Sequence, residues 1–596
     1  MTPLISGFLH SASSFAWNST AYIMRRKTKP VFRREIMRVI PRRRFLTNIT
    51  CAAGGITAYS LGGLSGIAAW AVNSPVVETT SGKVRGFLND GICSFRGVRY
   101  GASTEGKNRF MPPQKPTPWA GICDATSYGY SAPQTNPSTR DAAGPESEMS
   151  RILLASDGYR VPPAESEDCL FLNVWTPGIG VAKKRPVMVW LHGGGYSSGT
   201  ASSLMYDGTN LSQRGDVVMV GINHRLNVFG YTHFGDIGGP EYAHSGNAGQ
   251  LDIISALEWI RDNIEFFGGD PKRVMIFGES GGGSKVSMLL GSPPAKGLFH
   301  RAVIESGPGV RMAERETATR AAETLLSELG LDAKRLPEIQ KLSTEKILAA
   351  YFSATAVLSK RGTGGGMGGG FSPVLDPQVL PAHPFHPEAT RISEDVPVMV
   401  GWNKTESTVF SMGDPSVFSL DDAGLRKRIE GLAGNDADEL IKAYRNEYPK
   451  LSPSGIYFYI SSYSMMGSGS VTIAERKAAL GRAPAYLYRF DWETPVFNGK
   501  YMSPHGLEMP MVFDNAESGG FIWTDGTAEA KKMAVKMSES WIAFAATGNP
   551  NSKKSGLPQW PAYDSAKRAM MIFNNESRIA YDPLKLQRVI FSRNQK

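Results

Sequence analysis

The sequence predicts an α/β fold: a large, mostly parallel central sheet flanked by helices. Three observations carry that expectation. Short apolar runs rich in β-branched and aromatic residues recur without polar alternation, as in strands covered on both faces. Segments with helical periodicity lie between them, the alternation that builds parallel sheets. Near the middle of the chain, an apolar run passes through Gly-x-Ser-x-Gly directly into a segment able to be helical.

In chain order, the strand candidates begin with Val187-Met188-Val189-Trp190-Leu191 and the run from Val217 to Ile222. Leu251 to Ile264 then reads as a helix, with apolar residues at Ile254, Leu257, Trp259 and Ile264. Val274 to Phe277 is the next strand, and Ser284 to Leu290 the helix behind it. Ala302 to Ile304, Val398 to Val400 and Tyr486 to Phe490 continue the strand series. Thr527 to Ala546 places Met533, Met537, Trp541 and Phe544 on one helical stripe, and Gly548 stands where a C-terminal stop belongs. Thr135 to Glu165 and the glycine-rich Gly362 to Gly370 read as insertions, either plain surface loops or loops that gate a site.

The segment Gly278-Glu279-Ser280-Gly281-Gly282 has the setting of a nucleophile elbow. Glycines around the serine leave room for a sharp strand-to-helix turn that lifts the hydroxyl clear of the sheet. A second match, Gly195-Tyr196-Ser197-Ser198-Gly199, runs into a polar loop with no helix behind it, so Ser197 reads as a loop serine. That match overlaps His192-Gly193-Gly194-Gly195, which follows a strand. Such a glycine loop supplies backbone N–H groups to a developing oxyanion, with a further N–H from the residue after the nucleophile. His192, at the head of the loop, reads as structural.

A serine hydroxyl needs a base, and the imidazole that serves needs a carboxylate to fix its tautomer. In a fold of this kind the chain order is serine, acid, histidine. Among the histidines after Ser280, His300 comes too early, and His383 and His386 precede the expected acid. His505 is the one in order. Val398 to Val400 runs on to Glu406, the first choice of acid; Asp376 is the alternative and reads better as a turn residue. Glu279, beside the serine, either biases the site electrostatically or bonds the backbone.

At about 150 residues per domain, 596 residues would suggest three or four domains. These motifs instead span most of the chain and make sense only in one assembled site. The net charge of +10 is concentrated at the start, where residues 1–71 hold ten basic side chains against Glu35 alone. The remainder, with 55 basic and 54 acidic residues, gives no support to nucleic-acid binding. Pro41-Arg42-Arg43-Arg44-Phe45-Leu46-Thr47 resembles a twin-arginine export signal, and the stretch from Asn48 to Val77 is free of charge. Ala69-Trp70-Ala71 offers a cleavage site with a mature start near Val72, and Met37 is a plausible true start. The expectation is a leader over 1–71, read by the twin-arginine machinery, and one domain over 72–596 in a periplasmic or secreted protein. An uncleaved membrane anchor is the alternative. Cys93, Cys123 and Cys169 remain after the leader, an odd number without close spacing, which suggests neither a disulfide framework nor a metal site.

Taken together, these residues resemble the type B carboxylesterases, the cholinesterase and para-nitrobenzyl esterase family. The likeness covers most of residues 75–563. It includes Phe95-Arg96-Gly97-Val98-Arg99-Tyr100-Gly101, Glu167-Asp168-Cys169-Leu170, Asn223-His224-Arg225-Leu226, Gly246-Asn247-Ala248-Gly249 and Phe267-Gly268-Gly269-Asp270-Pro271. The resemblance implies the α/β-hydrolase fold, a triad of Ser280, Glu406 and His505, and oxyanion donors at Gly194, Gly195 and Gly281. It implies structural ion pairs of Arg109 with Glu167 and of Arg225 with Asp252. A small uncharged ester is the implied substrate, without cofactor or metal. An amidase or carbamate hydrolase would use the same residues, and a non-catalytic adhesion relative would usually have lost one of them. Two departures stand out. The usual cysteine partner of Cys169 is missing near Ala132-Pro133-Gln134, and Gly281 replaces the more usual alanine.

Overall fold

The near-continuous apolar runs pair with one another because no polar edge interrupts them. In the computed structural model of the chain, the described residues are 74–137, 164–362, 369–517 and 521–593. The expected leader and cleavage site, Met37 and most of both expected insertions lie outside them. The strands are β1 (Val76–Thr79), β2 (Gly82–Arg85), β3 (Phe87–Asn89), β4 (Ile92–Arg99), β5 (Ile122–Asp124), β6 (Phe171–Thr176), β7 (Arg185–Leu191) and β8 (Val218–Ile222). They continue with β9 (Gly269–Glu279), β10 (Arg301–Glu305), β11 (Val398–Asn403), β12 (Ala485–Phe490), β13 (Ala569–Phe573) and β14 (Arg578–Tyr581). Eleven of them form one sheet in the order β14-β13-β12-β11-β10-β9-β7-β8-β6-β4-β3, while β1, β2 and β5 form a small separate sheet. Every pairing from β8 through β13 is parallel; β14, β6, β4 and β3 join antiparallel.

The central strands do alternate, though in side-chain kind rather than polarity. Val187, Val189, Leu191, Val274, Ile276, Ala302, Ile304, Val398 and Val400 point into an aliphatic core on one face. Met188, Trp190, Met275, Phe277, Val303, Met399, Tyr486 and Tyr488 point into a core rich in methionine and aromatic rings on the other. Period-2 geometry thus sorts two apolar populations to two covered faces.

Helices cover both faces. The helix expected over Leu251 to Ile264 is α1 (Ala248–Asn263), whose Ile253, Ile254, Leu257 and Ile260 join the aliphatic core. The helix after the Gly-x-Ser-x-Gly turn, α2 (Gly281–Leu290), starts three residues before the expected Ser284. Glycine disfavours a helix start there by propensity, so tertiary contact decides the boundary. The last long helix, α3 (Ala528–Thr547), is capped as its sequence indicates. Thr527 accepts a hydrogen bond from the Ala530 N–H, and Gly548 at φ 78° donates its N–H to Phe544 O.

Both ion pairs implied by the resemblance are formed and buried. Arg225 grips Asp252 through Nη2 at 2.6 Å and Nε at 2.8 Å, fastening the loop after β8 to α1. Arg109 holds Glu167 at 2.6 and 2.8 Å. Fork-to-carboxylate geometry satisfies both charges, so removing either partner would strand the other in the core. Cys169 is buried as a free thiol, and Cys93 and Cys123 are also unbridged.

Candidate active site

Parallel strands bring their C-terminal ends to one edge of the sheet, where open α/β folds gather their chemistry. Register aligns that edge: Leu191 lies opposite Gly278, Glu279 opposite Glu305, and Glu305 opposite Gly401. The residues that follow these positions are the glycine loop after β7, Ser280 after β9, Ser306 after β10 and Glu406 after β11.

Ser280 sits at φ 57° and ψ −123°, a backbone conformation that side chains rarely adopt and that must be held by its surroundings. Its N–H donates to Glu305 O at 2.9 Å. The motif glycines are there for close approach. A Cβ on Gly278 would lie 2.6 Å from Leu191 O, and one on Gly282 would collide with that same carbonyl oxygen. Gly281, the departure from the family habit, has a steric reason of its own: a Cβ there would collide with Gly195 O. The β7 loop therefore lies directly on the first turn of α2. Gly194 and Gly195 take φ of 84° and 63°, and no acceptor for their N–H groups is found among the described residues. Gly281 opens a helix, so its N–H is one of those a helix start leaves unpaired.

Glu406 and His505 meet. His505 Nδ1 lies 2.5 Å from Glu406 Oε2, and Glu406 is fully buried. The other carboxylate oxygen accepts the Asn403 N–H at 2.6 Å, which fixes the rotamer. The loops carrying the two residues are stitched together by Thr405 N–H to Ser503 O at 3.1 Å and Ser503 N–H to Thr405 Oγ1 at 2.8 Å.

His505 Nε2 faces Glu279 Oε1 at 3.2 Å, and neither atom makes a well-formed hydrogen bond among the described residues. Ser280 Oγ makes no hydrogen bond among the described residues. The imidazole thus lies between two carboxylates, with the serine hydroxyl next along the chain from the second. Burial works against a charged ring, but Glu279 and Glu406 outweigh it and raise His505 to about 10. Burial in turn raises Glu279 to about 8, against the pull of His505.

Glu508, which sequence reasoning missed, completes the cluster. Three residues after His505, at the start of the short helix Met509–Val512, it accepts Ser306 Oγ at 2.8 Å and also a bond from the Asn403 amide. Burial pushes it up to about 7. Glu305 is likewise buried, accepting Trp541 Nε1 at 2.6 Å. The His-x-x-Glu spacing was the available signal for Glu508.

The remaining candidates are engaged elsewhere. Asp376 accepts the N–H groups of Gln378 and Val379 at 2.7 and 2.8 Å, as a turn residue does. His300 accepts the Val274 N–H at 3.3 Å; His383 accepts that of Met312 at 3.2 Å; His386 faces Arg311. Ser197 lies in the loop turn, donating its N–H to Gly194 O at 3.2 Å. His192 is buried, its Nδ1 2.9 Å from Gly193 O and its ring stacked on His224 at 4.9 Å. Among the described residues no group of side chains is arranged to hold a metal ion, and no helix is long and apolar enough to cross a membrane.

Comparison with known proteins agrees with this architecture. The profile of the Carboxylesterase family matches residues 73–591. A para-nitrobenzyl esterase of Bacillus subtilis is 34% identical over 511 residues, covering 85% of this chain and 96% of its own. A phenmedipham hydrolase of Pseudarthrobacter oxydans is 30% identical over 510 residues, with the same coverage of 85% and 96%. Among solved structures, a Geobacillus stearothermophilus carboxylesterase is similar at a TM-score of 0.73 and 35% identity, over 87% of this chain and 99% of its own. These neighbours share the α/β-hydrolase fold.

Proposed function

The chain belongs to the carboxylesterase family and is a carboxylic ester hydrolase, and from that premise we propose that it cleaves uncharged esters through Ser280, His505 and Glu406. The observation that carries the assignment is the Glu406–His505 bond at 2.5 Å, made at the same sheet edge as the strained Ser280 turn. His505 Nε2 takes the Ser280 proton as Oγ attacks the carbonyl carbon, and Glu406 holds Nδ1 and stabilises the imidazolium. The oxyanion is received by the N–H groups of Gly194, Gly195 and Gly281. His505 then protonates the departing alcohol, and water attacks the acyl-enzyme by the same route.

Nε2 lies 3.2 Å from Glu279 Oε1, so taking the serine proton requires a turn of the imidazole from that carboxylate onto the neighbouring hydroxyl. Hydrogen bonds of this kind commonly tighten only when substrate arrives. Phe410, half exposed and 4.9 Å from the His505 ring, gives the entrance an apolar wall suited to an uncharged substrate.

Labelling with a serine-reactive phosphonate tests the assignment. The modified peptide is expected to carry the label at Ser280; folded protein that takes no label, or takes it elsewhere, overturns it. We further propose that residues 1–71 direct export by the twin-arginine route, on the strength of Arg42-Arg43-Arg44-Phe45-Leu46 and the uncharged stretch behind it. Intact-mass measurement of exported protein should give an N-terminus near Val72. A retained leader would favour the membrane anchor instead.

A further inference from the structure

The glycine contacts between the β7 loop and α2 explain how close the two come, yet glycines have no side chains with which to hold one another. Two residues of α2 supply that hold. Lys285 Nζ donates to His192 O at 2.9 Å, and Ser284 Oγ lies 2.6 Å from Tyr196 Oη. His192 and Tyr196 are the two ends of the loop that contains Gly194 and Gly195. We propose that Lys285 and Ser284 are positioning residues that clasp this loop at both ends and keep its N–H groups aimed at the reacting carbonyl oxygen. The inference rests on the esterase reading above.

Lys285 is the more telling of the two, because it is a buried cation with no carboxylate partner among the described residues. Among the described residues the His192 carbonyl is its one hydrogen-bond acceptor, with the Tyr196 ring 5.8 Å away. The imidazoles nearby do not help: burial followed by the field of Lys285 itself holds His192 down to about 3, and His224 is pushed the same way. Burial alone pulls Lys285 down to about 7. A lysine in such a place is a cost to folding. Methionine, of similar length, would pack there without desolvating an ammonium group. Retention of the amine is explained if the loop needs the bond. It is also the one charged side chain between Ser280 and Leu290.

The test compares wild type, Ser280→Ala, Lys285→Met and Tyr196→Phe with p-nitrophenyl butyrate as substrate and a trifluoromethyl ketone as tetrahedral-adduct inhibitor. Lys285→Met is expected to melt at or above the wild-type temperature while kcat falls about 100-fold, the effect of a displacement of about 1 Å at the reacting centre. KM should stay within about two-fold, because the loop acts on the transition state, and the ketone should weaken in parallel with kcat. A merely structural lysine would lower stability and leave kcat and the ketone affinity of the folded enzyme intact; that result overturns the proposal. Should Lys285→Met fail to fold, Tyr196→Phe decides by the same split between kcat and KM. A wild type that hydrolyses no ester, or a Ser280→Ala variant as active as wild type, overturns the esterase reading and this inference with it. Full wild-type activity, lost in Ser280→Ala but kept in Lys285→Met and Tyr196→Phe, overturns this inference alone.

Discussion

The turn around Ser280 with its glycine loop and the pocket around His505 are held by different forces. At the turn, backbone packs on backbone: Gly278 and Gly282 lie against Leu191 O, Gly281 against Gly195 O, and Ser280 is forced to φ 57° between them. Around His505 the contacts are between side chains from separate elements. Glu279, Glu305, Glu406 and Glu508 are all buried there; burial raises Glu279, Glu305 and Glu508, and the nearby carboxylates add to it. One region is set by hard contact and tolerates almost no added volume. The other is set by charge, and its state depends on where protons sit. A small volume change should therefore damage the first, and a small charge change the second.

Neutralising the acid is the sharpest way to break the charge-built half. Glu406→Gln keeps the size of the side chain but no longer stabilises the imidazolium on Nδ1. A fall in kcat of about 10⁴-fold is expected, as for the equivalent change in a serine protease triad. Single-turnover and steady-state rates with a chromogenic ester would show it. A loss of less than ten-fold would remove Glu406 from the assignment.

The packed half should break on a single methyl group. Gly281→Ala preserves the N–H but drives a Cβ into the Gly195 carbonyl. The loop must give way, at about 1–3 kcal/mol for overpacking, and kcat is expected to fall about 100-fold through the displaced donors. Thermal unfolding and kcat measured on the same preparation separate the two effects. Equal activity would mean that the contact relaxes freely, and that hard packing does not set the donors.

The smallest change is the most diagnostic of charge. His505 is raised from 6.5 by the carboxylates of Glu279 and Glu406. A general base works in its unprotonated form, so kcat/KM should climb with pH and reach its plateau only above the ordinary imidazole range. Glu279→Gln removes one of the two stabilising charges and lowers the pKa of the ring. The acid limb should then move to lower pH by about 1 unit, as read from kcat/KM profiles between about pH 5 and 10. An unmoved limb, or one shifted upward, would show that Glu279 does not govern the ring.

The same division tells what was legible before folding. The Ser280 turn, the strand before it and the His192 glycine loop are written locally, because a turn this tight admits only certain residues at adjacent positions. His505 was reachable by chain order and by the other histidines falling out of place, and Glu406 by its position after a strand. α2 starts three residues before Ser284, since the glycines that deny a helix by propensity are the ones its packing demands. Whether Glu279 bonds the backbone or biases the site was open from the residues alone; in the structure it faces the histidine.

By itself the sequence determined the alternation of strands and helices, the family, and the sharp turn at Ser280, because each depends on residues that are neighbours in the chain. Only the tertiary structure decided that two carboxylates face one imidazole with a third buried beside them, and that a lysine with no carboxylate partner among the described residues stands behind the glycine loop. Sheet register sets those distances, joining the ends of strands that lie up to hundreds of residues apart. No local pattern records which side chains will share a buried volume, and there low polarity and proximity settle which groups hold protons.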